Sequence, residues 1–157
     1  MKSNAIVKYI ANKYGMAKHD IKEKAIEEQV EYEITDIKAG LIQAAYRIEI
    51  PDKAAQMEQK QILAEEVPKA VENLDKFIGN HKFLTGNELS YVDFIAYEYL
   101  DWYRELIQKD IFKDLPNIER FFKNFEEIPT LKSYLASEAY RRAPIFSPAA
   151  NFGYVRD

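Results

Sequence analysis

The stretch Ser90-Tyr91-Val92-Asp93-Phe94-Ile95-Ala96-Tyr97-Glu98-Tyr99 holds the most informative pattern of this chain. A serine followed three positions later by an acidic residue, at the head of an apolar run, is typical of a helix N-terminus. Each side chain can accept a hydrogen bond from a backbone N–H that the helix leaves unpaired. We therefore expect Ser90 and Asp93 to form a reciprocal structural cap, with Asp93 buried and needed for folding rather than for catalysis.

The residues around this stretch extend the pattern toward a known family. Phe83-Leu84-Thr85-Gly86 precedes it, Tyr97-Glu98-Tyr99-Leu100-Asp101 continues it, and Pro144-Ile145-Phe146-Ser147 comes near the C-terminus. Together these motifs resemble the C-terminal helical domain of mu-class glutathione transferases, over nearly the whole chain from Ser3 to about Ser147. The resemblance implies an all-α helical bundle and a role in conjugating glutathione to electrophilic small molecules, as in detoxification.

The start of the chain resembles the end of the family's first domain. That domain is thioredoxin-like and carries the catalytic tyrosine, and Lys2-Ser3-Asn4-Ala5-Ile6 is similar to the Gln-Ser-Asn-Ala-Ile stretch that ends it. We therefore expect residues 1–15 to be the last helix of the glutathione-binding domain and residues 16–157 to be the all-helical C-terminal domain. A chain without the thioredoxin-like domain is expected to be inactive alone.

The composition fits one domain with its own core. The chain has 157 residues, and its 26 acidic and 22 basic residues are scattered along it, so we expect no nucleic-acid partner. The lack of cysteine rules out a disulfide framework and a cysteine nucleophile. No leader pattern and no run of roughly 18 apolar residues occurs, so we expect a soluble, cytoplasmic protein with no membrane partner.

Hydrophobic periodicity predicts helices along the whole chain and no strand, which favours an all-α bundle. A short helix is predicted over 3–15 and longer ones over 20–48, 53–78 and 90–108, and two shorter helices follow Pro116 and Pro129. The tail from Tyr140 reads as extended coil, and Pro68 should kink the third helix. The predicted core stripes of the second and third helices are Ile26, Val30, Ile34, Ile37, Leu41, Ala45 and Ile48, and Leu63, Val67, Val71, Leu74 and Phe77.

The second helix carries another stripe beside its core stripe. At 100° per residue, Thr35, Ala39, Ile42 and Tyr46 fall within about 60° of one another. The small residues leave room for a ligand, Ile42 offers apolar contact and the Tyr46 hydroxyl is a donor at the rim. From periodicity alone, packing of this stripe on another helix or subunit is the commoner outcome, and a ligand groove is the alternative.

The resemblance implies roles for residues at matching positions. On the glutathione side they are Lys2, Ser3 and Asp36: Ser3 resembles the serine that holds the γ-glutamyl carboxylate, and Asp36 the acid that reaches the neighbouring subunit's glutathione. Lys2 stands where the family has glutamine, so it would replace a bidentate amide with a point charge. The plainer alternatives are a helix cap for Ser3 and a solvated charge for Asp36.

The electrophile side has its own matching positions. Tyr46 resembles the tyrosine whose hydroxyl assists leaving groups, so it is the candidate catalytic residue. The candidate electrophile-binding residues are Thr35, Ala39, Ile42, Tyr46, Phe146 and Ser147. The alternative for Phe146 is that it anchors the tail in the core.

Other chemistry has little support in the sequence. His19 and His81 are far apart with no carboxylate at ligand spacing, so we expect no metal site. We expect no permanently bound cofactor, with glutathione entering as a co-substrate. The acid pairs at 27–28, 65–66 and 126–127 are expected to face water.

A non-catalytic protein-interaction module is the alternative function. If the first helix lacks the domain that covers it in the family, Ile6, Tyr9 and Ile10 form an uncovered apolar patch. A homodimer, or a partner that covers this helix, would then be expected.

Overall fold

The computed structural model describes residues 3–46, 50–107, 110–141 and 143–154. This part of the chain contains an isolated bridge between Phe83 and Gly86 but no strand, so the all-α prediction is confirmed. The helices are α1 (Ser3–Lys13), α2 (Ile21–Tyr46), α3 (Lys53–Ile78), α4 (Tyr91–Ile107), α5 (Pro116–Glu126) and α6 (Pro129–Leu135). None of the helices in the described ranges has an apolar run long enough to cross a bilayer.

Helix α4 is the centre of the bundle. It packs against α1, α2, α3 and α5, and most of its residues are buried. A helix that is apolar around most of its circumference is stable only when other elements cover it on several sides. Helices α1, α2, α3 and α5 therefore surround α4, and α6 packs on α5.

The predicted core stripes are largely confirmed. The buried members are Val30, Ile34, Ile37, Leu41 and Ala45 of α2, and Leu63, Val67, Val71 and Leu74 of α3. The prediction is wrong for Ile26 and Phe77, which are 38% and 41% exposed. In both cases the next residue, Glu27 or Ile78, lies nearer the middle of the inward face and is buried instead. Ile48 and Gln108 lie outside the described residues, and the kink at Pro68 stays a prediction.

The cap of α4 forms only half of the expected reciprocal pair. The Asp93 carboxylate is fully buried and accepts the Ser90 N–H at 2.8 Å, as predicted, and it also accepts the Leu84 N–H at 2.9 Å. The Ser90 hydroxyl instead donates to the Glu27 carboxylate of α2. Asp93 therefore fixes the loop before α4, while Ser90 joins α4 to α2.

The expectation that the acid pair at 27–28 faces water is wrong for Glu27. Its side chain is 1% exposed, and its second oxygen accepts the Lys18 N–H at 3.0 Å. A buried carboxylate needs such donors because its desolvation is otherwise costly. Through these hydrogen bonds Glu27 joins α2 to the α1–α2 loop and to the start of α4.

The C-terminal tail is tied to the end of α2. The Asn151 N–H donates to the Ala45 carbonyl at 2.8 Å, and the Asn151 side chain donates to the Ala44 carbonyl at 3.2 Å. These are carbonyls that the end of a helix leaves without a partner within the helix. The Gly153 carbonyl accepts N–H groups from Ile145 and Phe146, at 2.8 and 2.9 Å, which folds the tail back on itself.

We predict that Asp93→Ala lowers stability by an amount that depends on pH. Burial raises the pKa of the Asp93 carboxyl from an ordinary 3.8 to about 6, and the nearby Glu27 adds to the effect. The stabilisation from this group is therefore fully present below about pH 4 and declines as the pH rises through 6. Loss of the cap should cost about 1 kcal/mol or more at pH 7.5, and about 2–3 kcal/mol more at pH 4.

Urea unfolding of both proteins, followed by circular dichroism at several pH values, measures this difference. The exposed Asp114→Ala is the matched control and should change stability little at any pH. A cost of Asp93→Ala that grows with pH would contradict the raised pKa.

We also predict that Gly153→Ala disturbs the tail. Gly153 has φ of +79°, and an added Cβ would lie 2.7 Å from the Leu106 side chain and 2.9 Å from the Phe146 ring. The substitution should cost about 1–3 kcal/mol and shift Phe146. Fluorescence of the single tryptophan, Trp102, reports the shift because its ring contacts Phe146.

Gly40→Ala is the control for this substitution. Gly40 lies inside α2, where a Cβ would come no closer than 3.6 Å to the Tyr103 hydroxyl. It should stabilise the helix by about 0.5–1 kcal/mol without changing the Trp102 spectrum. Equal effects of the two substitutions would show that Gly153 has no special role.

Candidate functional site

Three of the predicted site residues meet at the C-terminal end of α2. The Tyr46 hydroxyl accepts the Ser147 N–H at 3.1 Å and lies 3.3 Å from the Ser147 hydroxyl. The Tyr46 and Phe146 rings are in edge contact, with centroids 5.5 Å apart. Tyr46 is 42% exposed, so its hydroxyl lies at the surface of the bundle and not in its core.

Aromatic rings continue from this point along α4. Phe146 contacts Trp102, with centroids 5.7 Å apart, and Trp102 contacts Tyr99 at 5.1 Å. We call the row Tyr46, Phe146, Trp102 and Tyr99 the aromatic wall. Phe146 is buried and belongs to the hydrophobic core, so it anchors the tail and also forms part of the wall.

The stripe on α2 is open within this chain. Thr35 and Ala39 are exposed, and Ile42 is half-buried against the core. The Thr35 hydroxyl donates to the Glu31 carbonyl of its own helix at 2.7 Å. The described residues of this chain therefore leave the small-residue part of the stripe accessible to a ligand or to a second subunit.

Sequence reasoning missed three residues beside this stripe. Tyr99 and Trp102 complete the wall, and the Lys38 ammonium donates to the Tyr99 hydroxyl at 2.7 Å. Lys38 lies about 40° from Ile42 on the helix, just outside the 60° window that defined the stripe. A wider window would have included it, whereas nothing local in the sequence indicates that Trp102 faces the tail.

The predicted glutathione-side residues are placed at two separate points. Ser3 is the first residue of α1 and is exposed, and Lys2 lies outside the described residues. Asp36 is exposed on α2 and makes no hydrogen bond or ion pair with the described part of the chain. A residue that acts on a neighbouring subunit would have no partner in its own chain.

Buried Glu31 holds α1 against the rest of the bundle. Its carboxylate accepts the Asn4 amide at 3.1 Å and the Tyr91 hydroxyl at 3.0 Å, and it pairs with the Lys8 ammonium at 2.7 Å. Burial, together with Glu31, raises the pKa of the Tyr91 hydroxyl above its ordinary range, so this group acts as a donor. The position of Ser3 relative to α2 is therefore set by its neighbour Asn4.

Comparison with known proteins identifies the family of this chain. Residues 35–138 match the family described as glutathione S-transferase, C-terminal domain. The chain is 32% identical over 151 residues to the class-mu 26 kDa isozyme 51 glutathione S-transferase of Fasciola hepatica, covering 96% of this chain and 66% of that protein. It is 30% identical over 150 residues to glutathione S-transferase Mu 1 of Mus musculus, with the same two coverages.

Solved structures show the same fold. The crystal structure of the glutathione S-transferase Blo t 8 superposes with a TM-score of 0.87 at 34% identity, covering 98% of this chain and 71% of that one. A pi-class glutathione S-transferase of Onchocerca volvulus superposes with a TM-score of 0.80 at 17% identity, covering 96% and 71%, and supports the fold alone. The chain spans 66% of the length of the two curated relatives. With its helical bundle and these matches, the chain belongs to the glutathione S-transferase C-terminal domain family.

Proposed function

We propose that this chain supplies the electrophile-binding domain of a mu-like glutathione transferase. The reaction would conjugate the glutathione thiolate to an electrophilic small molecule, with glutathione as co-substrate and no permanently bound cofactor. The observation that supports this most directly is the exposed Tyr46 hydroxyl beside Phe146 and Ser147. These positions place a surface hydroxyl donor in contact with the edge of a buried apolar ring.

Tyr46 is proposed as the catalytic residue of this half of the site. Because its oxygen accepts the Ser147 N–H, the phenol is fixed in orientation and its own proton remains directed to the Ser147 hydroxyl or to a bound molecule. A hydrogen bond from a phenol stabilises negative charge that develops on a leaving group. Tyr46 would therefore act on the acceptor and not on the thiol.

The aromatic wall is proposed to bind the acceptor. Aromatic rings pack favourably against one another in offset or edge-on geometry, so this row of rings favours an aromatic acceptor. The exposed small residues Thr35 and Ala39 leave space next to the wall. Binding sites for small molecules commonly combine such apolar surfaces with a few fixed polar groups.

The glutathione half is proposed to be shared with a thioredoxin-like domain. Ser3 lies at the N-terminus of α1, where the helix dipole favours a carboxylate. In the family the thiolate is stabilised by a tyrosine of the other domain, so residues 1–157 alone are proposed to be inactive. Asp36 would act in a homodimer, and a cytoplasmic location stays a prediction from the sequence.

We predict that Tyr46→Phe weakens conjugation in a chain joined to a mu-class thioredoxin-like domain. The rate with an aromatic halide should fall by about tenfold or more, because the donor to the leaving group is lost. The stability should change by less than about 1 kcal/mol, because the hydrogen bonds of this hydroxyl lie at the surface, where water can replace them. Absorbance of the conjugate and urea unfolding measure the two quantities.

Two controls accompany this measurement. Tyr32→Phe removes a hydroxyl from a tyrosine of the same helix that is 68% exposed, and it should leave the rate unchanged. The 157-residue chain without the added domain should give only the uncatalysed rate. A clear rate from that chain, or an unaffected rate in Tyr46→Phe, would contradict the proposal.

The exposed face of α1 favours a second candidate function, a protein-interaction module. Ile6, Tyr9 and Ile10 are 44%, 69% and 43% exposed. Apolar side chains grouped on one side of a helix in this way are typical of contact surfaces. A homodimer or a partner protein could cover them.

We expect the chain to self-associate through this face at micromolar concentration. Size-exclusion chromatography with light scattering should show a dimer that Tyr9→Lys with Ile10→Lys converts to a monomer. Tyr32→Lys, which changes an exposed tyrosine of α2, should leave the mass unchanged. A wild-type chain that is strictly monomeric would count against both the module and the homodimer.

A further inference from the structure

The strongest feature that the proposed function leaves unused is Lys38. Its side chain is half-buried at the border between the open stripe and the core stripe of α2. Its ammonium donates to the Tyr99 hydroxyl at 2.7 Å, so it stands at the end of the aromatic wall opposite Tyr46. Lys38 and Tyr46 are eight residues apart, which is about 12 Å along the helix.

The charge of Lys38 is not balanced by a nearby acid. Within the described ranges no carboxylate lies within 4 Å of its ammonium, whereas Lys8, Lys69 and Lys76 each pair with a glutamate. The acid beside the wall is Glu98, whose carboxylate accepts the Trp102 N–H at 3.1 Å. The ammonium also lies 4.2 Å from the centroid of the Tyr99 ring, a cation–π contact that leaves its charge without a counter-ion. Lys38 therefore offers a positive charge with no carboxylate partner among the described residues, where partial burial reduces the screening by water.

We propose that Lys38 sets the substrate class of this site by favouring aromatic acceptors that carry an anionic group, such as a carboxylate. The inference rests on the proposed function, because it assumes that the acceptor binds along the aromatic wall. A ring beside Phe146 and Trp102 would place its reactive end near Tyr46 and its acidic group near Lys38. The two side chains start about 12 Å apart along the helix axis, a span that matches one ring with a short acidic chain.

A matched pair of small ligands tests the inference on the 157-residue chain. The probes are 4-phenylbutyrate, which is anionic, and 4-phenylbutyramide, which is neutral and nearly the same shape. Binding is followed by the fluorescence of Trp102, which can be excited selectively over the 11 tyrosines. The wild type should bind the butyrate about three- to tenfold more tightly than the amide, as expected for one partly screened charge pair.

Three variants separate charge from shape. Lys38→Gln should remove the preference for the butyrate and leave the affinity for the amide unchanged. Lys38→Arg should retain the preference. Lys76→Gln, which removes an exposed lysine paired with Glu72 on α3, should behave as the wild type.

The outcomes distinguish failure of this inference from failure of the proposed function. Equal binding of both probes to the wild type, or an equal loss of both in Lys38→Gln, would overturn the role of the charge while leaving the acceptor site intact. No binding of either probe would overturn the acceptor site and this inference together. If Lys38→Gln does not fold, the wild type decides, because added salt should reduce the affinity for the butyrate and not for the amide.

Discussion

The packing of this bundle depends on two buried carboxylates that meet around Ser90. Asp93 accepts backbone N–H groups on both sides of the loop before α4, and Glu27 accepts the Ser90 hydroxyl and the Lys18 N–H. Carboxylates without such donors would be too costly to bury. The hydrogen bonds of Glu27 are satisfied only if α2 and α4 lie in one register, so this polar contact selects that register more sharply than apolar packing alone.

The same register sets the geometry of the candidate site. Further along the two helices, the Tyr103 hydroxyl donates to the Ile37 carbonyl at 2.6 Å, and Lys38 donates to Tyr99 at 2.7 Å. Both contacts join α2 to α4, farther along the helices than the Ser90–Glu27 contact. A shift of one turn between the helices would break all of them and would also move Trp102 away from Phe146. The α2–α4 contacts that stabilise the fold therefore also position the residues of the candidate site.

The sequence predicted what periodicity determines and missed what long-range partners determine. The stripe from Val30 to Ala45 is apolar at helical spacing, so its burial could be predicted. The burial of Glu27 could not be predicted, because a glutamate is buried only when donors from other elements reach it. Lys18 and Ser90 provide those donors in the folded chain. Ile78 replaced the expected Phe77 because the inward direction drifts around a long helix.

The candidate site also depends on long-range contacts that local sequence patterns do not predict. No local pattern connects Tyr46 with Phe146 and Ser147, which lie about a hundred residues later in the chain, and only the resemblance to the family indicated that they share a site. Trp102 of the aromatic wall and Lys38 beside it carry neither a periodic signal nor a family motif. Their place in the site depends on tertiary contacts, of Lys38 with Tyr99 and of Trp102 with Phe146.

This tail explains how a stable bundle can keep an open and variable surface. Asn151 satisfies the last carbonyls of α2, and Phe146 and Phe152 enter the core, so the tail is held mainly by contacts behind the wall. Thr35 and Ala39 lie on the solvent side of α2 and take no part in those contacts. Substitutions at the open stripe can therefore change what binds there without removing the Asp93 cap or the α2–α4 contacts on which the wall depends.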